Sequence, residues 1–438
     1  MYKINPVMRT INLFLLLSFF ALSCSRSGSG GSPGGNPVPL LGAPSGDRAA
    51  NAYGGTGDDA IVTTIPLPDG GALSAGYTSS NDGQVSGNHG SYDYWVVRTD
   101  SAGRIVWQKT YGGSASDRAA QLIATPDGNY VIIGTSLSTD GDKQGGGPVW
   151  MFKIDGKGNM VWQKSYGVPG QVDTVTAIDN TPGGGLALLY NGDNGQGLED
   201  VILTVTDGTG NYVCGLTQGS SSFSYRGYSV KAVQGGYVIA GQTFDTAGQL
   251  SAGHGGGDLL LEKISPDGHL LWKHVYGGTG PDAGYWLLQT PDRGFLAVGS
   301  SGSHDGDIKK NAGDLDWLFC KVDSAGILQW TNTYGGSGRE EADFISPALD
   351  GNYLVTGYTR SHDGSLSGNH GGSDILVVKI DPGGQVLSQR LCGGSADEHP
   401  GQGLEPSPGH YWVVGTTASQ GGDVIGAHGG WDGWIFRF

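Results

Sequence analysis

The sequence is poor in cysteine, in basic residues and in long apolar runs. Its 438 residues hold four cysteines, Cys24, Cys214, Cys320 and Cys392. None belongs to a C-x-x-C pair, which removes zinc ribbons and thioredoxin-type redox sites. Cys24 is accounted for below, so three remain and at most one disulfide closes within the chain, too few for a disulfide-dense scaffold. Cys320 lies in an apolar stretch and reads as a small buried hydrophobe. Lys and Arg total 25 against 41 Asp and Glu, a net charge of −16. That balance lacks the basic stripe that nucleic acid requires, and its plain consequence is solubility. No G-x-S-x-G elbow follows a strand, and no G-x-x-x-x-G-K-[ST] loop occurs. Glycine, by contrast, reaches 82 of 438 residues. It follows no G-X-Y period, so collagen is excluded. It recurs in turn pairs between apolar alternations, which is the pattern of an all-β chain with many hairpins.

The one long apolar run is Leu13 to Leu22, preceded by Lys3 and Arg9. About ten residues are too few for the ~20 that span a bilayer as a helix, so residues 1–23 read as a secretory signal. Its end, Ala21-Leu22-Ser23-Cys24, resembles the lipobox of bacterial lipoproteins. The resemblance implies cleavage before Cys24 and a lipid on its thiol, although Leu is more usual where Ala21 stands. Loss of Lys3 and Arg9 would leave 23 − 41 = −18 charges. Residues 24–45 are rich in Ser, Gly and Pro, a linker composition expected to stay unstructured. No acidic cluster follows Cys24, unlike many surface lipoproteins of Bacteroidetes-type bacteria. The expectation is therefore an outer-membrane lipoprotein on the periplasmic side.

From residue 46 onward the chain is one repeat. Copies start near Tyr53, Tyr111, Tyr166, Thr217, Tyr276, Tyr334 and Cys392, the last three 58 residues apart. The first copy predicts strands a to d at 60–66, 72–78, 93–99 and 104–110, with tight turns such as Pro68-Asp69-Gly70-Gly71 and a long b–c loop. Four short strands per unit predict propeller blades, because one blade cannot bury its faces without neighbours. The last copy stops within strand c. Residues 49–52 stand where a strand d would precede the first copy. They are expected to complete that blade, giving a seven-bladed β-propeller over 46–438. A β-solenoid is the alternative, but it calls for shorter rungs and end caps.

The stretch Val96–Trp107 resembles the D-x-x-G-x-x-x-W repeat of quinoprotein-like propellers, as do Lys153–Trp162, Lys263–Trp272 and Lys321–Trp330. The resemblance implies that Trp107, Trp162, Trp272 and Trp330 dock between blades; Val213 and Ser388 replace the tryptophan in two copies. The wider repeat, with its YGG, DGG and HGGxD blocks, is similar to uncharacterised propeller-like repeats of Bacteroidetes secreted and lipid-anchored proteins.

Two polar patterns fall on the b–c and d–a loops, which a propeller places on one face. The first is an acid six residues after the repeat start: Asp59, Asp117, Asp282, Glu340 and Glu398. The second is His-Gly-x-x-Asp: His89/Asp93, His254/Asp258, His370/Asp374 and His428/Asp432. Asp200 and Asp316 keep the acid without the histidine. Residues that recur in most blades serve what each blade needs, and Asp caps backbone N–H groups at such junctions. Staples are thus the expected role. Asp82, Asp140, Asp142, Asp305, Asp307 and Asp363 look like hard-oxygen ligands for Ca²⁺, but they lack a full EF-hand pattern. No other cofactor is implied: seven blades depart from the usual eight of quinone-dependent propeller enzymes, and no distinctive cofactor cluster appears.

Several near-equivalent acids do not single out the one pair that glycoside cleavage needs. The expected function is therefore a non-enzymatic, lipid-anchored envelope scaffold with a monomeric head and a protein partner. A glycan-binding module on the same face is the alternative, with Tyr92, Tyr94, Tyr225, Trp286 and Trp431 as stacking candidates. A glycoside-active or quinoprotein-like enzyme is the second alternative. The irregular stretch Gly219 to Tyr225 in copies three and four is the preferred place for a grafted function.

Overall fold

The structure, a computed structural model, describes residues 38–39, 41, 49–171, 173–193, 195, 197–219, 224–244, 254–363 and 366–438. The signal segment and Cys24 lie outside the described residues. Twenty-eight strands pair into seven antiparallel four-stranded sheets. Six blades are continuous in sequence, at 59–111, 117–166, 174–218, 225–276, 282–334 and 340–392. The seventh joins the strands Glu398–Ser407, His410–Thr417 and Asp432–Arg437 to Ala49–Tyr53 from the other end of the chain. Ala49 pairs with Arg437 and Tyr53 with Gly433, so the ring closes through its termini. The fold is a seven-bladed β-propeller.

Hairpin chemistry sets the strands. In blade 1 the first strand is Asp59–Pro66 and the second Ala72–Thr78, separated by a turn in which Gly70 adopts φ 80°. Glycine meets that conformation without the Cβ penalty. The fourth strand, Ile105–Tyr111, begins one residue later than its sequence suggests. First strands of successive blades touch one another all the way round the ring, including blade 7 against blade 1, so they are innermost. Each first strand of blades 1 to 6 carries a bulge, and the unpaired residues are Val62, Ala120, Thr176, Tyr228, Tyr285 and Asp343. A bulge leaves one residue outside the ladder and bends the strand.

The core lies between blades rather than in one centre. Leu296, Val298, Trp317 and Phe319 of blade 5 pack on Ala342, Ile345, Val355 and Leu376 of blade 6, all within 4% exposure. Each such side chain contributes about 1.5–3 kcal/mol when fully buried. The tryptophans lie at the next seam. A Cβ built on Gly158, Gly210 or Gly326, each in the c–d turn of the following blade, would come within 3.0–3.1 Å of Trp107, Trp162 or Trp272. Trp330 meets Gly384 in the same way, at 2.5 Å. The YGG tyrosines add a bond to the same turns: Tyr53 donates to the Gly103 carbonyl (2.6 Å) and Tyr111 to that of Gly158 (2.6 Å).

The linker expected to be unstructured as far as residue 45 is fixed earlier. Leu41 is 3% exposed in a cluster with Val377 and Tyr411. Its N–H donates to the Gln389 carbonyl (2.7 Å), and Gln389 N–H donates to Pro39 (3.0 Å). Pro39 and Leu41 thus cover part of the outer edge of blade 6, an edge that would otherwise leave its backbone unpaired.

Candidate functional site

The repeated acids are buried and spent on the loops. Asp59 is fully buried at the start of its strand. It accepts Gly55 N–H (2.8 Å), Ser80 Oγ (2.7 Å) and the Thr78 hydroxyl. Ser80 in turn accepts Gly57 N–H (2.9 Å). Ser136/Ser138 serve Asp117, Ser301/Ser303 serve Asp282, Thr359/Ser361 serve Glu340, and Thr417 serves Glu398. The six aspartates singled out for Ca²⁺ do not converge. Asp82, Asp140, Asp305 and Asp363 each accept a loop N–H, from Thr56, Ser114, Thr279 and Ser337. Asp142 and Asp307 accept from Gly112 and Gly277, both at 3.3 Å. Among the described residues no three His, Cys, Asp or Glu side chains group as a metal site.

The second pattern works through the backbone. Asp93, Asp258, Asp374 and Asp432 each accept the N–H of the histidine four residues earlier, at 2.7–3.0 Å. Asp316 accepts Ala312 N–H in the same way (2.7 Å), so the cap needs no imidazole. His89 and His370 add a ring contact, at 2.6 and 2.7 Å, whereas His254 stands 3.9 Å and His428 3.3 Å from their aspartates. Asp200 lies beside Gly219, the equivalent glycine of its loop.

Three of the five aromatic candidates, Tyr94, Tyr225 and Trp286, are core residues, and Tyr94 is fully buried. Tyr225 is 6% exposed, and it stands where other blades have the seam acid. Lys273 Nζ lies 3.9 Å above its ring. Its cross-strand partner Thr243, which elsewhere donates to that acid, keeps a buried hydroxyl with no bond. Trp286 packs on Phe344, ring centres 4.9 Å apart, in the seam of blades 5 and 6. Most of the irregular stretch before Tyr225 lies outside the described residues.

Tyr92 and Trp431 do come together. Both immediately precede a capping aspartate, and Asp58 joins them. The Tyr92 hydroxyl donates to Asp58 Oδ2 (3.0 Å) and Trp431 N–H to Oδ1 (3.2 Å). Tyr77 meets Tyr92 edge to face at 5.7 Å. The Arg118 guanidinium lies over both rings, 4.0 Å from Tyr92 and 4.7 Å from Tyr77, a cation–π arrangement. His399 stacks on Trp431 at 4.8 Å. Burial pushes the Tyr77 hydroxyl up to about 12 and holds the His399 imidazole below its ordinary value. This cluster spans blades 7, 1 and 2.

A second cluster occupies blades 3 to 6. Arg226 bonds Glu199, and Arg339 grips Glu341 through Nε (2.8 Å) and Nη2 (2.5 Å). The bulge residues Tyr228 and Tyr285 meet edge to face at 5.2 Å. On blade 6, whose first strand touches that of blade 5, the same bulge position is held by Asp343. Its Oδ2 is enclosed and has no hydrogen-bond partner. Burial first, and Glu341 second, push its carboxyl well above the ordinary range. Arg118, Arg226, Glu341 and His399 hold one repeat position, directly after the seam acid or its replacement. That position varies while the blade is kept, which is the signal that sequence reading passed over.

No family model matches the chain, and no curated protein sequence matches it. Solved structures do resemble it. A puromycin hydrolase structure shares 11% identity over 82% of this chain and 50% of its own, with a TM-score of 0.50. Sqt1 from Chaetomium thermophilum shares 12% over 89% and 98%, at 0.47. A protein of unknown function from Bacteroides caccae shares 13% over 68% and 89%, at 0.42. At these identities the likeness shows the fold alone.

A depression of about 480 Å³ also lies at the outer junction of blades 1 and 2, lined by Lys109, Gln144, Asn159 and Gln163 among others. Lys109 donates across it to Gly158 (2.9 Å), and Tyr111 reaches the same carbonyl. Those contacts assign it to blade packing.

Proposed function

We propose that the protein binds carbohydrate at its axial loop face and catalyses no reaction on it. The cluster of Arg118, Tyr77, Tyr92, Asp58 and Trp431 carries this reading. Rings offer flat apolar faces, while the carboxylate and guanidinium offer directional hydrogen bonds at their edges. Ligand sites for polar molecules combine those two elements. The lipid expected on Cys24 would hold the propeller at the cell envelope. A panel of immobilised glycans probed with the full chain tests the reading. Binding should weaken about tenfold or more in Arg118→Gln and Trp431→Ala, as for anchoring aromatic and Arg residues elsewhere. Absence of binding to every polysaccharide, or binding indifferent to both substitutions, would overturn it.

A protein-scaffold role is the second reading, and a different surface favours it. Val106, Val161, Val213, Leu271 and Leu387 are 39–60% exposed at equivalent positions of the outer strands. A recurring apolar rim suits a protein partner. An envelope protein that co-purifies with the full chain and is released by Val161→Asp and Leu271→Asp, but not by Arg118→Gln, would favour that role.

A further inference from the structure

We infer that the axial face formed by blades 4 to 6 is a site for an organic ammonium group, and that the carbohydrate it takes is an amino sugar with a free amine. The second statement rests on the carbohydrate reading; the first does not.

The argument starts from charge pairing. Three acids stand in this half of the face. Glu199 is paired with Arg226 and Glu341 with Arg339. Asp343 has no cation partner among the described residues, and its Oδ2 is enclosed without a donor. The titratable neighbours that face it are Glu341, Tyr285 and Tyr358, with Arg339 already committed. That setting favours the protonated carboxyl for want of a counter-ion, since an unpaired buried charge is costly. Its enclosure is not complete, because some of the residue remains accessible to solvent.

The walls fit a cation. Tyr285 holds the same bulge position on the adjacent blade and meets Tyr228 edge to face, and aromatic rings attract ammonium groups through their negative faces. The corresponding bulge residues of blades 1 to 3 are Val62, Ala120 and Thr176, all smaller. The ring of bulge residues is therefore bulky and polar on one side and slight on the other. An ammonium group supplies N–H donors to Asp343 and the missing positive charge. Asp343 then ionises on binding and releases its proton to solvent: carboxylic acid plus ammonium gives the carboxylate–ammonium pair plus one proton.

The test is isothermal titration of the full chain with a β-linked glucosamine tetramer, its N-acetylated counterpart and methylammonium. The free-amine tetramer should bind about tenfold or more tighter than the acetylated one at pH 7. Heats in phosphate and Tris should differ in the sense of proton release. Asp343→Asn should remove the preference, whereas Arg118→Gln should weaken both tetramers alike. Equal affinity of the two tetramers overturns the amino-sugar inference and leaves carbohydrate binding in place. Methylammonium binding that Asp343→Asn abolishes, with no sugar bound, supports the ammonium site and removes the carbohydrate reading. Absence of all three heats overturns both. The proton-release measurement on the unaltered protein needs no variant to fold.

Discussion

Across the seam of blades 1 and 2, Asp93 Oδ1 and Asp117 Oδ2 face each other over Gly112. A Cβ built on Gly112 would lie 2.5 Å from the first and 2.6 Å from the second. Asp93 Oδ1 has no hydrogen-bond partner, although both residues are fully buried. The same opposition recurs at Asp258/Asp282 over Gly277, Asp316/Glu340 over Gly335, Asp374/Glu398 over Gly393 and Asp432/Asp59 over Gly54. The first glycine of each YGG is therefore fixed by what stands beside it, not by its own backbone angles.

Gly112→Ala should thus destabilise by about 2 kcal/mol, in the range of an overpacked core. Gly156→Ala is the control. It meets nothing within 4 Å, and its φ lies outside the left-handed region. Loss of backbone freedom in the unfolded chain should make that change neutral to slightly stabilising. Urea unfolding of the two variants measures the difference.

The seams also set a pH dependence. Burial raises the carboxyls of Asp258 and Asp316 to about 6, with Asp282 and Glu340 adding repulsion. Asp59, Asp93, Asp282, Asp374, Glu398 and Asp432 move upward too, each chiefly by burial. The folded state then holds protons that the unfolded state has lost, so this contribution is complete below about pH 4 and falls as pH rises through about 6. Acids held low by hydrogen bonds, such as Asp207 and Asp292 at about 2, act in the opposite sense below pH 4. Melting temperature should therefore peak near pH 4 and decline towards pH 7. Asp316→Asn should flatten the decline and add about 1 kcal/mol at pH 8, because its amide can donate to Glu340 while its oxygen keeps the Ala312 N–H. A melting temperature that rises from pH 4 to pH 7 would contradict the shared-seam account.

The tryptophan docking has a cost that stability measurements can read. Trp330 packs on Gly384 of the next blade, while Gln329 beside it faces solvent. Trp330→Ala should cost about 3 kcal/mol, and Gln329→Ala less than about 0.5 kcal/mol.

The anchored stretch before the first strand sets the useful boundary for truncation. A chain beginning at residue 46 loses Leu41, whereas one beginning at residue 38 keeps it. The shorter chain should be less stable by about 2–3 kcal/mol, the cost of deleting a buried leucine. Leu41→Ala in the full chain should reproduce most of that loss, and chemical denaturation of the three proteins compares them.

The blades were legible because their signals are local. Turns such as Pro68–Gly71 and the alternation of 93–99 lie within a few residues of the strands they bound, and the missing last strand announced the closure. The seams were not legible. Asp93 belongs to one block of the repeat and Asp117 to another, and only the placement of neighbouring blades sets them face to face. Tyr225 was misread because it fills the place of a seam acid rather than a surface position. Arg118, Glu341 and Asp343 were missed because variation was sought in whole irregular loops such as Gly219 to Tyr225, when single positions of regular strands concentrate the unshared chemistry.

The pairing of Ala49 with Arg437 has a kinetic consequence. Two segments from opposite ends of the described chain must meet before the ring has no open edge. Such long-range pairing is slow, since loop closure must be achieved before the contact rewards it. During synthesis Asp432–Arg437 must emerge before the ring can close, so the chain is expected to remain open to other partners until that strand is made. Once closed, the ring has no terminal blade from which to fray. Detaching Ala49–Tyr53 from Asp432–Arg437 would reopen a free edge in that ring.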